Sequence, residues 1–260
     1  QLKYKHKKVC DLLARYSLVP NSWLSPVTAL QYGYRNKARL GAKWLASKDT
    51  AFVGFRKMVH RGVTEMDSCE ILHPSVGRQL AKLRMLLSSL NCRADIPQME
   101  VAIGDDHACV VIRHLSPLEN IDKRRLKEFE RQNGIDLYLQ SGGPDTLISL
   151  SPNPRPLRYS LPDFNLEFRF QPLDFTQVNP EINRELVACV VGLVAPEPND
   201  VVGDLFCGIG NFSLPIAQTV KQVIGAEGVS AGNATKGTAR GGGVPRPLHP
   251  SAGDRKEFAR

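Results

Sequence analysis

The chain has 260 residues, of which 42% are hydrophobic and 23% are charged, and its formal net charge is +8. This is the composition of a globular protein, and the length allows two domains with sizeable cores. No apolar run approaches the ~18 residues of a membrane-spanning helix, and no signal peptide is visible. We therefore expect a cytoplasmic monomer with no membrane partner.

The positive charge is concentrated in the first part of the chain. Residues 1–60 hold 12 Lys and Arg against two Asp, whereas residues 61–229 hold 16 Lys and Arg against 22 Asp and Glu. A basic front on an acidic body favours a polyanionic partner such as a nucleic acid. The alternative is a solvated basic surface with no partner.

The chain contains six cysteines, and no two of them form a C-x-x-C pair. Their spacing does not suggest a disulfide framework, so we expect reduced thiols, as in cytosolic proteins.

The first 170 residues have the pattern of an α+β region. Residues 1–16 are typical of a helix with one apolar face, and the alternation over residues 27–59 predicts strands. His73-Pro74-Ser75 begins a further helix with a leucine-rich stripe. Strands are predicted over 98–104, 108–113, 135–139, 146–150, 158–161 and 166–170, with a helix over 118–134. We assign residues 17–170 to a central α+β domain.

Residues 171–229 change to an α/β pattern with parallel character. Asn179 and Pro180 predict the start of a helix of about 16 residues. Residues 201–206 are typical of a buried strand, which a glycine turn and a short helix connect to a strand over 222–226.

The glycine turn resembles a dinucleotide-binding fingerprint without its third glycine. Gly208 and Gly210 allow a ligand to approach the backbone closely, and a short helix follows from Asn211 to about residue 220. Glu227 ends the next strand, 19 residues after Gly208. Such folds place a carboxylate for ribose hydroxyls at about this position.

The two ends of the chain are unusual. The first residue is Gln1 rather than Met, which indicates a trimmed or incomplete N-terminus. Residues 230–260 contain six Gly and three Pro with few large apolar residues. We predict that this tail is disordered, and we interpret it as a frameshifted or artificial end.

Four segments carry a resemblance to a known family. The string Asp-Leu-Phe-Cys-Gly-Ile-Gly-Asn-Phe-Ser over 204–213 resembles motif I of the S-adenosylmethionine-dependent RNA uracil-C5 methyltransferases. Asp-Phe-Thr-Gln-Val-Asn over 174–179 resembles their Phe-x-Gln-x-Asn signature. Segments 34–40 and 54–57 resemble the family's central RNA-facing region, and 66–72 resembles the segment with the last cysteine of an iron–sulfur site.

The resemblance covers roughly residues 1–229 and is greater to the type that methylates 23S ribosomal RNA than to the type that methylates tRNA. It implies that residues 171–229 are the truncated start of a Rossmann-like methyltransferase domain. It also implies that S-adenosylmethionine is the cofactor, bound by Gln177, Phe206, Gly208, Gly210, Asn211 and Glu227. The alternative for Glu227 is an ordinary carboxylate at a strand end, which would be favoured if the preceding motif were not there.

The resemblance also implies ribosomal RNA as the partner. Phe175 lies where the family faces the target base, so this ring could stack on it, and the alternative is a core phenylalanine. Phosphate contacts are expected from cations interleaved with aromatic residues, namely Arg35, Lys37, Arg39, Arg56 and Lys57. A solvated strand edge is the alternative for these cations.

Cys69 matches the fourth ligand of the family's four-cysteine cluster. One thiolate cannot hold a [4Fe-4S] cluster, so we expect the cluster only in the complete family protein. Cys207 is a tempting nucleophile, but the family's catalytic cysteine lies far downstream. We therefore expect Cys207 to pack beside the cofactor pocket and identify no catalytic residue.

The implied function is methylation of uracil C5 in 23S ribosomal RNA. The family's catalytic cysteine and glutamate motifs are not in this sequence, so we expect no methyl transfer from this chain alone. Two alternatives stay open, namely a non-catalytic RNA-binding module and a tRNA uracil-C5 methyltransferase. A nicotinamide-dependent oxidoreductase is disfavoured because the glycine turn lacks three spaced glycines and follows a large α+β domain.

Overall fold

The computed structural model describes residues 1–58 and 62–227 together with the short strands 238–239, 250–251 and 255–259. A six-stranded mixed sheet dominates the first part of the chain. Its strands, in spatial order, are β2 (Thr50–Gly54), β1 (Lys37–Leu45), β3 (Gln98–Ile103), β4 (Ala108–Arg113), β5 (Ile135–Gln140) and β6 (Leu147–Ser149). Neighbours are antiparallel except β4 and β5, which the helix after β4 joins as a parallel pair.

Helices cover one face of this sheet. Their bounds are α2 (Pro74–Gly77), α3 (Leu80–Ser89) and α4 (Asn120–Asn133), whereas α1 (Leu2–Arg15) precedes the sheet and has no buried residue. The predicted leucine stripe of α3 is buried against alternate residues of β1 and β3, such as Leu40 and Met99. The alternation of β1 therefore places Ala38, Leu40 and Ala42 in the core and directs Arg39 and Lys43 outward.

An antiparallel hairpin, β7 (Leu157–Leu161) and β8 (Leu166–Phe170), covers part of the other face of the sheet. Leu157 and Phe170 form a buried cluster with Ala102, Cys109, Val111 and Tyr138 from the sheet. Gly104 allows the close approach, since an added Cβ there would lie 2.6 Å from the carbonyl oxygen of Arg158. The hairpin is therefore fixed to the turn between β3 and β4.

The remaining elements form an α/β unit. Helix α5 (Pro180–Val194) begins at Asn179, whose Oδ1 accepts a hydrogen bond from the backbone N–H of Ile182 at 3.1 Å. Strands β9 (Val201–Leu205) and β10 (Gln222–Ala226) pair in parallel, as the sequence predicts, and α6 (Ser213–Ala217) lies between them in the chain. Val187 of α5 packs with Leu161, Leu166 and Phe168 of the hairpin, so the hairpin contacts both parts of the molecule.

Some predicted elements differ from the structure. Residues 27–34 are predicted to be strands but lie outside every described strand, and Leu30 and Tyr32 are exposed. Among the described residues, the segment has no neighbouring strand to pair with, since the nearest pairing is the isolated bridge between Arg35 and Leu72. The helix predicted from His73 is divided at Arg78 and Gln79. The short helix α6 begins at Ser213 rather than Asn211.

The structure describes three short strands within the tail, whose predicted disorder stays a prediction. Strand β11 (Thr238–Ala239) pairs with β8, and β12 (Pro250–Ser251) pairs with β13 (Arg255–Ala259). Strand β13 pairs antiparallel with β10. Strand β13 forms because it can pair with the edge of β10, and composition does not reveal such a partner. The rest of 228–260 lies outside the described residues.

Across the described ranges, no helix has the length and apolarity needed to cross a membrane.

Candidate cofactor site

The turn after β9 is built on backbone conformations with positive φ. Phe206 has φ 63°, Gly208 has φ 55° and Gly210 has φ 93°. The backbone N–H of Phe206 donates to the carbonyl oxygen of Ala226 at 2.7 Å, which ties the turn to the end of β10. The Phe206 side chain is 84% exposed. A ring held in a strained backbone and presented to solvent is typical of a binding surface.

The predicted acid lies directly against this turn. Glu227 Oε2 accepts a hydrogen bond from the backbone N–H of Gly208 at 2.8 Å. A Cβ added to Gly208 would meet no atom of the described residues within 4 Å. Ser213, the first residue of α6, is fully buried, and its Oγ donates to Asp204 Oδ2 at 2.5 Å. A direct hydrogen bond therefore joins Gly208 and Glu227, which lie 19 residues apart.

The segment 174–179 runs beside the start of β1. The backbone N–H of Asn36 donates to the carbonyl oxygen of Val178 at 2.8 Å. Within this segment Gln177 is exposed, and the Phe175 ring is 77% exposed. The structure thus excludes the alternative that Phe175 is a core residue, and both side chains are accessible to a ligand.

The side chain of Asn211 has partners that the sequence does not reveal. Its Oδ1 accepts hydrogen bonds from Asn183 Nδ2 at 2.9 Å and from the hydroxyl of Tyr159 at 3.0 Å. Its Nδ2 donates to Asn183 Oδ1 at 2.9 Å. Asn183 lies in the first turn of α5, just after the segment with Gln177, so this contact joins the two groups of predicted cofactor residues.

The arrangement fits a ligand with both polar and apolar parts. A glycine in the left-handed region lets a ligand approach the backbone more closely than a residue with a side chain would. The Glu227 carboxylate, already oriented by the Gly208 N–H, is an acceptor suited to hydroxyl groups. Phe206 supplies an exposed aromatic surface for a flat ring.

The cations predicted to meet RNA have different environments. The Lys37 ammonium donates to the carbonyl oxygen of Pro172, and its burial lowers the pKa of Lys37 below the usual value. Arg39 is largely exposed and pairs with Glu100 at 3.0 Å. Arg35 donates through Nε to the carbonyl oxygen of Lys37 at 3.0 Å, whereas Arg56 and Lys57 are exposed. Lys57 and Arg39 are therefore exposed, whereas Lys37 is half-buried and its ammonium already has a partner.

Cys69 is partly exposed and lines a cavity of about 170 Å³ together with Tyr32, Gly33 and Arg78. Its backbone N–H donates to the carbonyl oxygen of Gly77 at 2.9 Å. Among the described residues, no group of three His, Cys, Asp or Glu is arranged to hold a metal. The assignment of Cys69 as a cluster ligand in the complete family protein stays a prediction.

Cys207 is buried, in a cluster with Ile216, Val220 and Val223. This packing agrees with the expectation that Cys207 is a structural residue rather than a nucleophile.

Strand, glycine turn, short helix, parallel strand and terminal acid together form an α/β unit of the type found in nucleotide-binding proteins, and mixed α+β structure precedes it. Residues 3–236 match the family model described as tRNA (Uracil-5-)-methyltransferase. The chain belongs to this family.

Individual relatives agree with this assignment. The chain is 42% identical over 231 residues to the 23S rRNA (uracil(1939)-C(5))-methyltransferase RlmD of Hahella chejuensis (strain KCTC 2396), covering 88% of this chain and 52% of that protein. A protein of the same description from Legionella pneumophila (strain Corby) is 40% identical over 232 residues, with 88% and 52% covered. The chain thus spans about half the length of the curated relatives it matches.

The fold is also similar to a solved structure. The Pyrococcus abyssi tRNA (uracil-54, C5)-methyltransferase in complex with S-adenosyl-L-homocysteine matches with a TM-score of 0.52 and 19% sequence identity, covering 76% of this chain and 50% of that chain. At this identity the likeness concerns the fold alone.

Proposed function

We propose that this chain acts in the S-adenosylmethionine-dependent methylation of uracil C5 in 23S ribosomal RNA. The observation that carries the proposal is the hydrogen bond between the Gly208 N–H and the Glu227 carboxylate, which brings motif I and its acid together. Relatives at about 40% identity are described as methyltransferases of this RNA, which favours 23S RNA over tRNA as the substrate.

Six residues are proposed to bind the cofactor. Glu227 accepts hydrogen bonds from the ribose hydroxyls, and the exposed Phe206 ring packs on the base. Gly208 and Gly210 let the cofactor approach the backbone closely, and Gln177 reaches the methionyl end from the segment that precedes α5. Asn211 contributes by holding the turn against α5, because its amide is engaged by Asn183 and Tyr159.

S-adenosylmethionine supplies an electrophilic methyl group when bound. Uracil C5 becomes nucleophilic enough only after a thiolate adds to C6, and its proton must then be removed by a base. Cys207 is buried among apolar side chains and does not fit the first role. We therefore assign no catalytic residue within the described ranges and propose binding and orientation as the roles of the residues named above.

The RNA partner is proposed to contact exposed residues near the start of the sheet. Phe175, 77% exposed, is placed to stack on an unpaired base. Arg35, Arg39, Arg56 and Lys57 are proposed phosphate contacts. Lys43 lies on the same face of β1 as Arg39 and is exposed, so it joins this set.

The substrate is tested by removing the encoding gene from the source organism. 5-Methyluridine in 23S RNA and in tRNA is then mapped by nuclease digestion and mass spectrometry. We expect one 23S position to lose its methyl group while tRNA is unchanged. Loss from tRNA alone would support the tRNA-modifying alternative. No loss from either, with RNA binding retained, would support the non-catalytic RNA-binding module.

A further inference from the structure

A cluster of three side chains connects three separate segments of the chain beside the cofactor turn. Asn183 and Asn211 pair through both of their amides, each Nδ2 donating to the other's Oδ1 at 2.9 Å. The Tyr159 hydroxyl donates to the same Asn211 Oδ1 at 3.0 Å. We call these three residues the amide clasp.

The amide clasp lies in a rigid setting. Asn183 is 4% exposed. The Tyr159 ring is stacked on Phe168 with a centroid separation of 4.8 Å and an interplanar angle of 3°. The apolar side chains of Ile209 and Phe212 pack in the same cluster as Phe168. Ile209 and Phe212, which flank Asn211 in the sequence, are therefore packed against the hairpin.

A reciprocal amide pair alone does not fix which atom points where. If both amides turned over together, each would still donate once and accept once. Tyr159 removes this symmetry, because its buried hydroxyl has a hydrogen to donate and finds Asn211 Oδ1 as the acceptor. In the turned arrangement the hydroxyl would face an N–H group, and its own hydrogen would lose that partner at a free-energy cost. Burial raises the pKa of Tyr159, with the Asp105 carboxylate adding to the effect, so the hydroxyl keeps this hydrogen.

We propose that Tyr159 and Asn183 are positioning residues that fix the Asn211 amide, and with it the turn from Gly208 to Gly210, for S-adenosylmethionine. This inference rests on the proposed function, because the cofactor is the ligand for which the turn is prepared. Asn183 lies in the first turn of α5, just after the segment 174–179 that contains Gln177. The amide clasp therefore also sets the distance between Gln177 and the glycine turn. Neither positioning residue needs to contact the cofactor.

Two variants and one control test the amide clasp in the full chain. Tyr159→Phe keeps the stacked ring and removes only the hydroxyl. Asn183→Ala removes both hydrogen bonds between the side-chain amides of Asn183 and Asn211. Gln218→Ala is the control, since Gln218 Nε2 donates to the carbonyl oxygen of Phe164 at 2.7 Å and links the same two regions beyond the turn. Amide hydrogen exchange at Gly208 and Gly210 and calorimetric titration with S-adenosylhomocysteine are measured for each.

We expect Tyr159→Phe to speed exchange at both glycines and to weaken ligand affinity, each about fivefold, as the loss of one net hydrogen bond implies. Asn183→Ala has larger effects in the same direction. The control changes neither, and amides of the six-stranded sheet such as Val110 keep their exchange rates in Tyr159→Phe.

Unchanged glycine exchange in Tyr159→Phe overturns the inference, and so does faster exchange with unchanged affinity. If Asn183→Ala fails to fold, Tyr159→Phe decides the question alone. If the unmodified chain does not bind S-adenosylhomocysteine, the proposed cofactor is wrong. The exchange rates then still decide whether the amide clasp positions the turn.

Discussion

At the scale of single residues, side chains of the same type have different environments in this chain. Lys37 and Lys57 were both expected to meet RNA, yet the Lys37 ammonium is buried against Pro172 and Lys57 is exposed. Sequence reasoning could place the basic residues near β1 but not this burial. It depends on residue 172, which is 135 positions from Lys37.

The two lysines provide a matched pair for RNA binding. Lys57→Met should weaken binding to a 23S RNA fragment and lower the slope of log affinity against log salt by about 1, because one phosphate contact is lost. Lys37→Met should change that slope less, because Lys37 is half-buried and its ammonium already donates to the carbonyl oxygen of Pro172. Filter binding over a range of salt concentrations measures both. Equal changes in the two variants would contradict the different environments.

The cysteines differ in the same way. Burial raises the pKa of Cys109 to about 12, and burial beside Asp122 raises the pKa of Cys92 to about 11. Their thiols therefore remain protonated and inaccessible at pH 8, whereas Cys10, Cys69 and Cys189 are partly exposed. We expect iodoacetamide to label these three within minutes and to leave Cys92 and Cys109 unlabelled.

Peptide mass spectrometry identifies the labelled thiols, and labelling of all six in urea is the control. Fast labelling of native Cys109 at pH 8 would contradict its burial.

The raised pKa of Cys109 also has a consequence for stability. Above the ordinary value of 9.0, the unfolded chain loses a proton that the folded chain retains up to about 12. The free energy of unfolding therefore falls as the pH rises above 9.0, and Cys109→Ala should reduce this slope.

At the scale of elements, the strands and helices with strong local signals were predictable. Strand β8 over 166–170 and strand β10 over 222–226 have the bounds that the sequence predicts, because apolar alternation and turn residues define both ends. Helix α5 begins at its Asn179 cap, as expected. Residues 27–34 and strand β13 were not predictable, since a strand also needs a partner edge, and the partner is not a local property.

Two glycines in these elements have opposite predicted responses to alanine. Gly104→Ala places a Cβ 2.6 Å from the Arg158 carbonyl oxygen and should lower the free energy of unfolding by about 1–3 kcal/mol. Gly192 lies in α5, where a Cβ meets nothing within 4 Å, so Gly192→Ala should raise that free energy by up to about 1 kcal/mol. Urea denaturation followed by circular dichroism measures both, and a destabilised Gly192→Ala would contradict the open space.

At the scale of the whole molecule, the hairpin β7–β8 determines where the cofactor turn lies. Leu157 and Phe170 pack on the six-stranded sheet, whereas Leu161 and Phe168 pack on α5 and the turn. The sequence predicts a boundary near residue 170, which stays a prediction. The motif and its acid were recognisable from residue order alone. The contacts of Asn211 with Tyr159 and Asn183 were not, because they join residues 52 and 28 positions apart.

The central claim is that Gly208 and Glu227 form a cofactor site, and calorimetric titration of S-adenosylhomocysteine into the chain and its Glu227→Ala variant tests it most directly. Glu197→Ala is the matched control, because Glu197 is an exposed acid in the loop before β9. We predict that Glu227→Ala weakens affinity at least about tenfold, as expected for loss of a charge-assisted hydrogen bond, while Glu197→Ala binds like the unmodified chain. Equal affinities of the unmodified chain and Glu227→Ala, or no binding by either, would contradict the account.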